Sequence, residues 1–255
     1  MKISSFQIGI MQMHKSRPDG NTICIFNIPG DVVGHVAGLL PYDLTKVSWI
    51  GTITSTFNVM ALSPKSQIRT LDDLRKYPNL KSGVVGLGSS ASLNTLISAH
   101  EMGFNVKFVN YDGSTEALLS AIRNDTQVVT YNYPSIKRFI VDSKELFPFV
   151  VFARERLKDL PDTPTIGELG YEKLLDVVAL DNMLGAHPDT PKDIMNVWRA
   201  AFDKAVVDPE FQAMMKKQLR HEPAPLNGER TKNKINVYLE TYGKYKKLIM
   251  PYLAK

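Results

Sequence analysis

From Thr22 onward, short apolar runs of strand length alternate with segments whose apolar residues recur at helical spacing, and no other feature constrains the fold as strongly. Residues 22–26 read as a buried strand entered from the turn at 17–21, with further strands over 47–53, 57–62, 82–87, 105–111, 127–130 and 147–152. Between them, helical spacing covers 70–77, 93–102, 114–124 and 135–143. Thr70 and Asp73 stand at capping-box spacing, as do Thr165 and Glu168, and Gly103 is placed to close a helix. Thr190 is placed as a cap with Pro191 at the first helical position, and Ile194, Val197, Trp198, Ala201, Phe202 and Ala205 keep the helical repeat. Ile235, Tyr238, Leu239 and Tyr242 repeat it near the C-terminus. Strands joined through helices pair in parallel, so the expected class is α/β.

At roughly 150 residues per domain, the 255 residues allow one large or two small lobes. A hydrophobic fraction of 44% against 22% charged argues against disorder. The single cysteine, Cys24, excludes an internal disulfide and a cysteine zinc cage. The net charge of +5 is dispersed. Its densest cluster, Lys244, Lys246 and Lys247, alternates with Tyr242 and Tyr245 and reads as a solvated helix face, so no nucleic-acid partner is expected. No apolar run approaches the roughly 18 to 20 residues of a membrane span. Gln7 and Gln12 interrupt the N-terminal apolar stretch, and no signal peptide is read there.

Catalytic constellations are thin. His14, His35, His100, His187 and His221 are scattered and read as surface or packing residues, so no metal site is expected. There is no nucleophile elbow, and Cys24 sits in a strand with no activating partner nearby in sequence. Asp72 and Asp73 read as first-turn helix charges.

The informative segment is the run from Gly83 through Gly86, Gly88, Ser89, Ser90 and Ala91 to Ser92, set between a strand and a helix. Glycine lets an anion approach the backbone, the first helical N–H groups and the helix dipole favour negative charge, and the hydroxyls add donors. A plain βα turn capped by serine accounts for the same residues. So does a dinucleotide fingerprint, Gly86-x-Gly88-x-x-Ala91, with Asp112 after the next strand placed for a ribose hydroxyl. That alternative makes the chain an NAD(P)-dependent oxidoreductase. A P-loop is excluded, because no Gly-Lys-Ser/Thr follows.

Six motifs in chain order resemble one family. They are Pro18-Asp19-Gly20-Asn21-Thr22, Leu40-Pro41-Tyr42-Asp43, the Gly83 to Ser92 loop, Tyr111-Asp112-Gly113-Ser114, Pro161-Asp162-Thr163-Pro164-Thr165 with Glu168 and Gly170, and Ala186-His187-Pro188-Asp189-Thr190-Pro191. Together they are similar to the solute-binding component of tripartite tricarboxylate transporters, the Bug family. The resemblance implies a two-lobed periplasmic-binding-protein (Venus flytrap) fold, with lobe 1 at 1–62 and 184–255, lobe 2 at 63–183, and the chain crossing between them near 57–62 and 177–185.

It also implies a monomeric periplasmic protein, not an enzyme and without a cofactor, that closes on a small carboxylate and delivers it to membrane permease subunits. The ligand residues it points to are Gly88, Ser89, Ser90, Ala91 and Ser92, with Asn27, Asn132 and Tyr133 at strand ends. Three departures are visible. The family's opening segment has no counterpart, so the first lobe reads as truncated at its N-terminus. Ser92 stands where the family has histidine, and Asp181-Asn182-Met183 lies where an aromatic is usual. A carboxylate there is expected to repel an anionic ligand.

Overall fold

The computed structural model describes residues 5–175, 177–219 and 223–253. They divide into two compact units. One takes the residues up to Thr56 with Leu180–Lys246, the other Phe57–Ala179 with the residues from Lys247 on.

In the first unit, α1 (Ser5–Lys15) packs on β1 (Ile23–Ile28), and α2 (Gly30–Val36) follows β1 almost at once. β1 pairs antiparallel with β7 (Ala179–Ala186), from Ile23 opposite Ala186 to Ile28 opposite Asp181. β7 lies beside β2 (Ser48–Leu62), whose Gly51 stands opposite Asn227 of β8 (Pro223–Asn227). α7 (Lys192–Ala205) seats Met195 and Phe202 on Ile50 and Ala186. Gly51 makes that seat possible: a Cβ there would stand 2.2 Å from the Phe202 ring. α8 (Pro209–Met214) is capped by Asp208, and α9 (Gly228–Lys244) by Asn227, whose Oδ1 accepts the Arg230 N–H at 3.0 Å.

The sheet of the second unit runs β6–β2–β5–β3–β4, with β3 (Lys81–Val84), β4 (Lys107–Asn110), β5 (Val128–Asn132) and β6 (Phe147–Val151). β2 is antiparallel to β5 and β6, whereas β3 is parallel to both β4 and β5. On one sheet face Val59, Ala61, Val129, Tyr131 and Val151 form a core with Ala117, Leu118 and Ala121 of α5 (Ser114–Arg123). α3 (Leu71–Lys76) precedes β3, α4 (Ser90–Met102) joins β3 to β4, and α6 (Tyr133–Lys137) follows β5 and continues as a wider turn over Arg138–Asp142. Tyr252 of α10 (Lys246–Leu253) stands edge-on to Phe108 of β4 at 5.7 Å.

The two strands expected at 47–53 and 57–62 are one. No glycine or proline interrupts Thr54, Ser55 and Thr56, and each hydroxyl is engaged: with Asn182, with Lys234 and with the Leu180 carbonyl. Residues 5–15, read from sequence only as a failed signal peptide, form a helix. Thr70 and Asp73 complete their capping box. Thr165 and Glu168 make the same reciprocal bonds, at 2.7 and 3.2 Å, around a turn, and the next helix along the chain is a single 3-10 turn at Glu172–Leu174. Pro191 rather than Thr190 is the N-cap of α7; the Thr190 hydroxyl donates instead to the His187 carbonyl. His14 stacks on Tyr42 at 4.9 Å, and His35 Nδ1 accepts the Leu44 N–H. His221 lies outside the described residues.

Candidate functional site

Because β3, β4 and β5 run in parallel, their C-terminal ends share one edge of the second unit's sheet. Open α/β sheets bind ligands beyond that edge. Three βα junctions meet it: the 85–89 loop into α4, residues 111–113 into α5, and Asn132 into α6.

The 85–89 loop is held from both sides. Gly86 takes φ +83°, a backbone conformation that suits glycine, and its N–H donates to Asn110 Oδ1 at 2.7 Å. Ser89 is the N-cap of α4, its Oγ accepting the Ser92 N–H at 3.3 Å. The Ser92 hydroxyl is buried and sits 2.7 Å from the Leu87 carbonyl, 2.9 Å from that of Ser89 and 3.1 Å from that of Gly86. Ser92 therefore ties the loop to itself. The first intrahelical bond runs from the Leu93 N–H to the Ser89 carbonyl at 3.0 Å. Helix geometry thus leaves the Ser90 and Ala91 N–H groups without a carbonyl in their own helix. Gly88, Ser89 and Ser90 are partly exposed, whereas the Ala91 methyl belongs to the core.

Asn132 Oδ1 caps α6 by accepting the Ser135 N–H at 3.1 Å. The Tyr133 ring stacks on Phe57 at 5.3 Å, and its hydroxyl donates to Asp159 Oδ2 at 2.6 Å. Lys137 pairs with the same carboxylate, and its ammonium lies 5.5 Å from the Tyr133 ring centre. The Lys137 bond, and then that of Tyr133, hold Asp159 below the usual carboxylate range. Burial first, and then Asp159, push the Tyr133 phenol up. A cavity of about 780 Å³ in this unit takes in Asp159, Arg69 and Phe147, but none of the loop residues above. Asp112 is exposed after β4, and β3–α4–β4 is the parallel βαβ unit a dinucleotide fingerprint requires.

Asn27 lies in the first unit, near the end of β1 and opposite Asn182. Its Nδ2 reaches Asn182 Oδ1 at 3.4 Å, and Asn182 Nδ2 donates to Thr54 Oγ1 at 2.8 Å, so an amide row crosses β1, β7 and β2. The Asn27 N–H donates to Asp31 Oδ2 at 3.0 Å, and the Tyr42 hydroxyl to Asp31 Oδ1 at 3.2 Å. Burial outweighs both bonds and pushes the Asp31 carboxyl up to about 6.

Asp181, whose carboxylate the sequence reading expects to repel an anionic ligand, is wholly buried and paired through one oxygen. Its Oδ2 accepts the Tyr238 hydroxyl at 2.7 Å and meets Lys234 Nζ at 2.6 Å. The Lys234 and Tyr238 roles had no local sequence signal, because both residues lie far along the chain from Asp181. Among the described residues, no three His, Cys, Asp or Glu side chains are placed to hold a metal.

The profile of the Tripartite tricarboxylate transporter family receptor matches residues 4–249. The chain belongs to this family. A UPF0065 protein of Bordetella pertussis is 25% identical over 210 residues, 80% of this chain and 64% of its own length. Protein BugT of the same organism is 26% identical over 179 residues, 66% of this chain and 54% of its own length. The chain thus spans less than two thirds of the length of either relative. Among solved structures, a periplasmic transporter superposes with a TM-score of 0.79 at 24% identity, over 94% of this chain and 82% of the other. Rpa4515 of R. palustris with adipate (TM-score 0.74, 19% identity, 95% and 82% covered) and MatC of Rhodopseudomonas palustris with bound malate (0.72, 18%, 95% and 84%) share the fold. The chain therefore has the α/β fold of these proteins, as the sequence motifs implied.

Proposed function

We propose that this receptor-family chain is a periplasmic solute-binding protein that captures a small carboxylate and presents it to the permease subunits of a tripartite transporter. The observation that carries this reading is the start of α4. A loop fixed by Ser92 and Asn110 offers the Ser90 and Ala91 N–H groups at a helix N-terminus, where an anion is favoured. Ser89 and Ser90 add hydroxyls, while Ser92 acts as an organiser and not as a donor to ligand. Asn132 and Tyr133 border the same sheet edge, and in the first unit the candidate is Asn27, paired with Asn182 near the end of β1. Adipate and malate, each present with a protein of this fold, support a small dicarboxylate as the ligand. The protein works as a monomer without a cofactor and catalyses no reaction.

A thermal-shift panel of mono-, di- and tricarboxylates, with NAD and NADP alongside, tests the reading. A ligand at 100 times its Kd adds about 2.7 kcal/mol to stability, and a raised Tm is expected with one or more carboxylates. A shift with a dinucleotide alone, abolished by Asp112→Asn, overturns it in favour of the oxidoreductase.

A further inference from the structure

We propose that the cavity of about 780 Å³ in the second unit is a second ligand site, suited to a small amphipathic monocarboxylate whose charge is met by Lys144. This goes beyond the receptor reading and does not rest on it, because the cavity takes in none of the α4 loop residues. Its lining runs from Arg69 to Leu169 and lies wholly within the second unit. Its volume falls in the range of roughly 300 to 1,000 Å³ usual for sites that hold drug-sized molecules. Ile140, Phe149 and Leu160 are buried, whereas Val141 and Phe147 on the same lining stay partly exposed. Covering such apolar surface in a concave site is favourable without any directional partner. The rim at Arg69 is fixed before a ligand arrives. Its guanidinium carbon stands 5.0 Å from the Phe147 ring centre, and Nη1 and Nη2 donate to the Ile68 and Pro64 carbonyls at 2.7 and 3.1 Å. A wall held in this way needs little further ordering on binding.

Charge decides the head group of the occupant. Of the two carboxylates on the lining, Asp159 is taken by the Tyr133 hydroxyl and by Lys137, and Asp162 lies close enough to Arg156 to interact with its charge. Lys144 differs from Arg69, whose guanidinium is engaged by two carbonyls and a ring. It is exposed and makes no ion pair or hydrogen bond among the described residues, while its neighbour Glu145 is bonded to the Ser143 hydroxyl at 2.5 Å. Its backbone is held in the left-handed region at φ +53°, which glycine or asparagine adopts at lower cost. That cost is borne at a position whose ammonium brings three N–H donors to the cavity lining. One uncommitted cation beside apolar walls fits one anionic group on an apolar body.

The test compares octanoate with 1-octanol, which share an apolar body and differ in charge, by calorimetric titration of the full chain. Wild type is expected to favour octanoate by about tenfold or more, the order a charge-assisted hydrogen bond supplies. Lys144→Asn removes the ammonium and keeps a residue that tolerates the left-handed backbone. In it the preference falls to within about twofold while octanol affinity holds. Val141→Phe fills part of the cavity and is expected to weaken both probes by about tenfold or more while succinate affinity holds. If that variant does not melt cooperatively, Leu169→Phe carries the same comparison from another part of the lining. A wild-type chain that binds no octanoate, or binds both probes equally, overturns the proposal. So does a preference that survives Lys144→Asn, or binding that survives the cavity-filling variant. Octanoate displaced by succinate belongs to the α4 loop, which also overturns the second site and leaves the receptor reading standing.

Discussion

Ser92 and Ser90 lie two residues apart and are expected to fail differently. Ser92→Ala strips the shared donor from the Gly86, Leu87 and Ser89 carbonyls. That should cost about 1 to 3 kcal/mol in urea unfolding and loosen the loop, so stability and carboxylate affinity fall together. Ser90→Ala should lower affinity with stability held within about 0.5 kcal/mol, and an equal loss of stability in the two variants would refute the division of labour. Asp31 gives a residue-scale prediction in pH. Its carboxyl is raised to about 6 in the folded chain from 3.8. The stability it contributes is fully present below the ordinary value and is lost as pH rises through about 6, some 3 kcal/mol in all. Asp31→Asn has no such proton to lose. Relative to wild type it should therefore gain stability between about pH 4 and pH 7, read by urea unfolding across that range.

Among the elements, most existence and type assignments were legible, because apolar period and caps are local properties. Gly103 closes α4 in the left-handed conformation at φ +77°, and the Thr70–Asp73 box opens α3. What was not legible depended on partners distant in sequence. β2 is continuous because residues of β7 and α9 engage its middle hydroxyls, and the Thr165–Glu168 motif closes a turn in which the Tyr171 N–H bonds back to the Ile166 carbonyl. The same limit applied at the site. The Gly86 to Ser92 loop could be read locally, the Tyr133–Asp159–Lys137 cluster and the Asp181–Lys234 pair could not. Packing at Gly51 gives an element-scale prediction. Gly51→Val places a branched side chain where the Phe202 ring already stands. α7 should lift, at a cost of about 1 to 3 kcal/mol, and Phe202→Ala in the same chain should restore part of the loss; additive losses would show that the two do not touch.

For the whole molecule, the pH–stability curve should bend at both ends from carboxylates of opposite habit. Glu168, bonded first by Arg156 and then by the Thr165 N–H, is held down to about 2 from 4.5. Its contribution is present above the ordinary carboxylate value and is lost as pH falls through about 2. Asp31 acts in the reverse sense toward neutrality. Tm measured against pH should show Glu168→Gln flattening the acid limb alone and Asp31→Asn the limb above about pH 4 alone.

Cys24 adds a means of timing. Its sulfhydryl sits half-buried on β1, donates to the Gly9 carbonyl of α1 at 3.4 Å, and is pushed up in pKa by burial. With one thiol in the chain, each equivalent of chromophore released by a disulfide reagent counts one departure of α1 from its strand. Ile10→Ala, which hollows the buried side of α1, should quicken that stopwatch severalfold while urea unfolding falls by about 2 to 5 kcal/mol. The cysteine that could pair with nothing thus becomes a clock for the first helix.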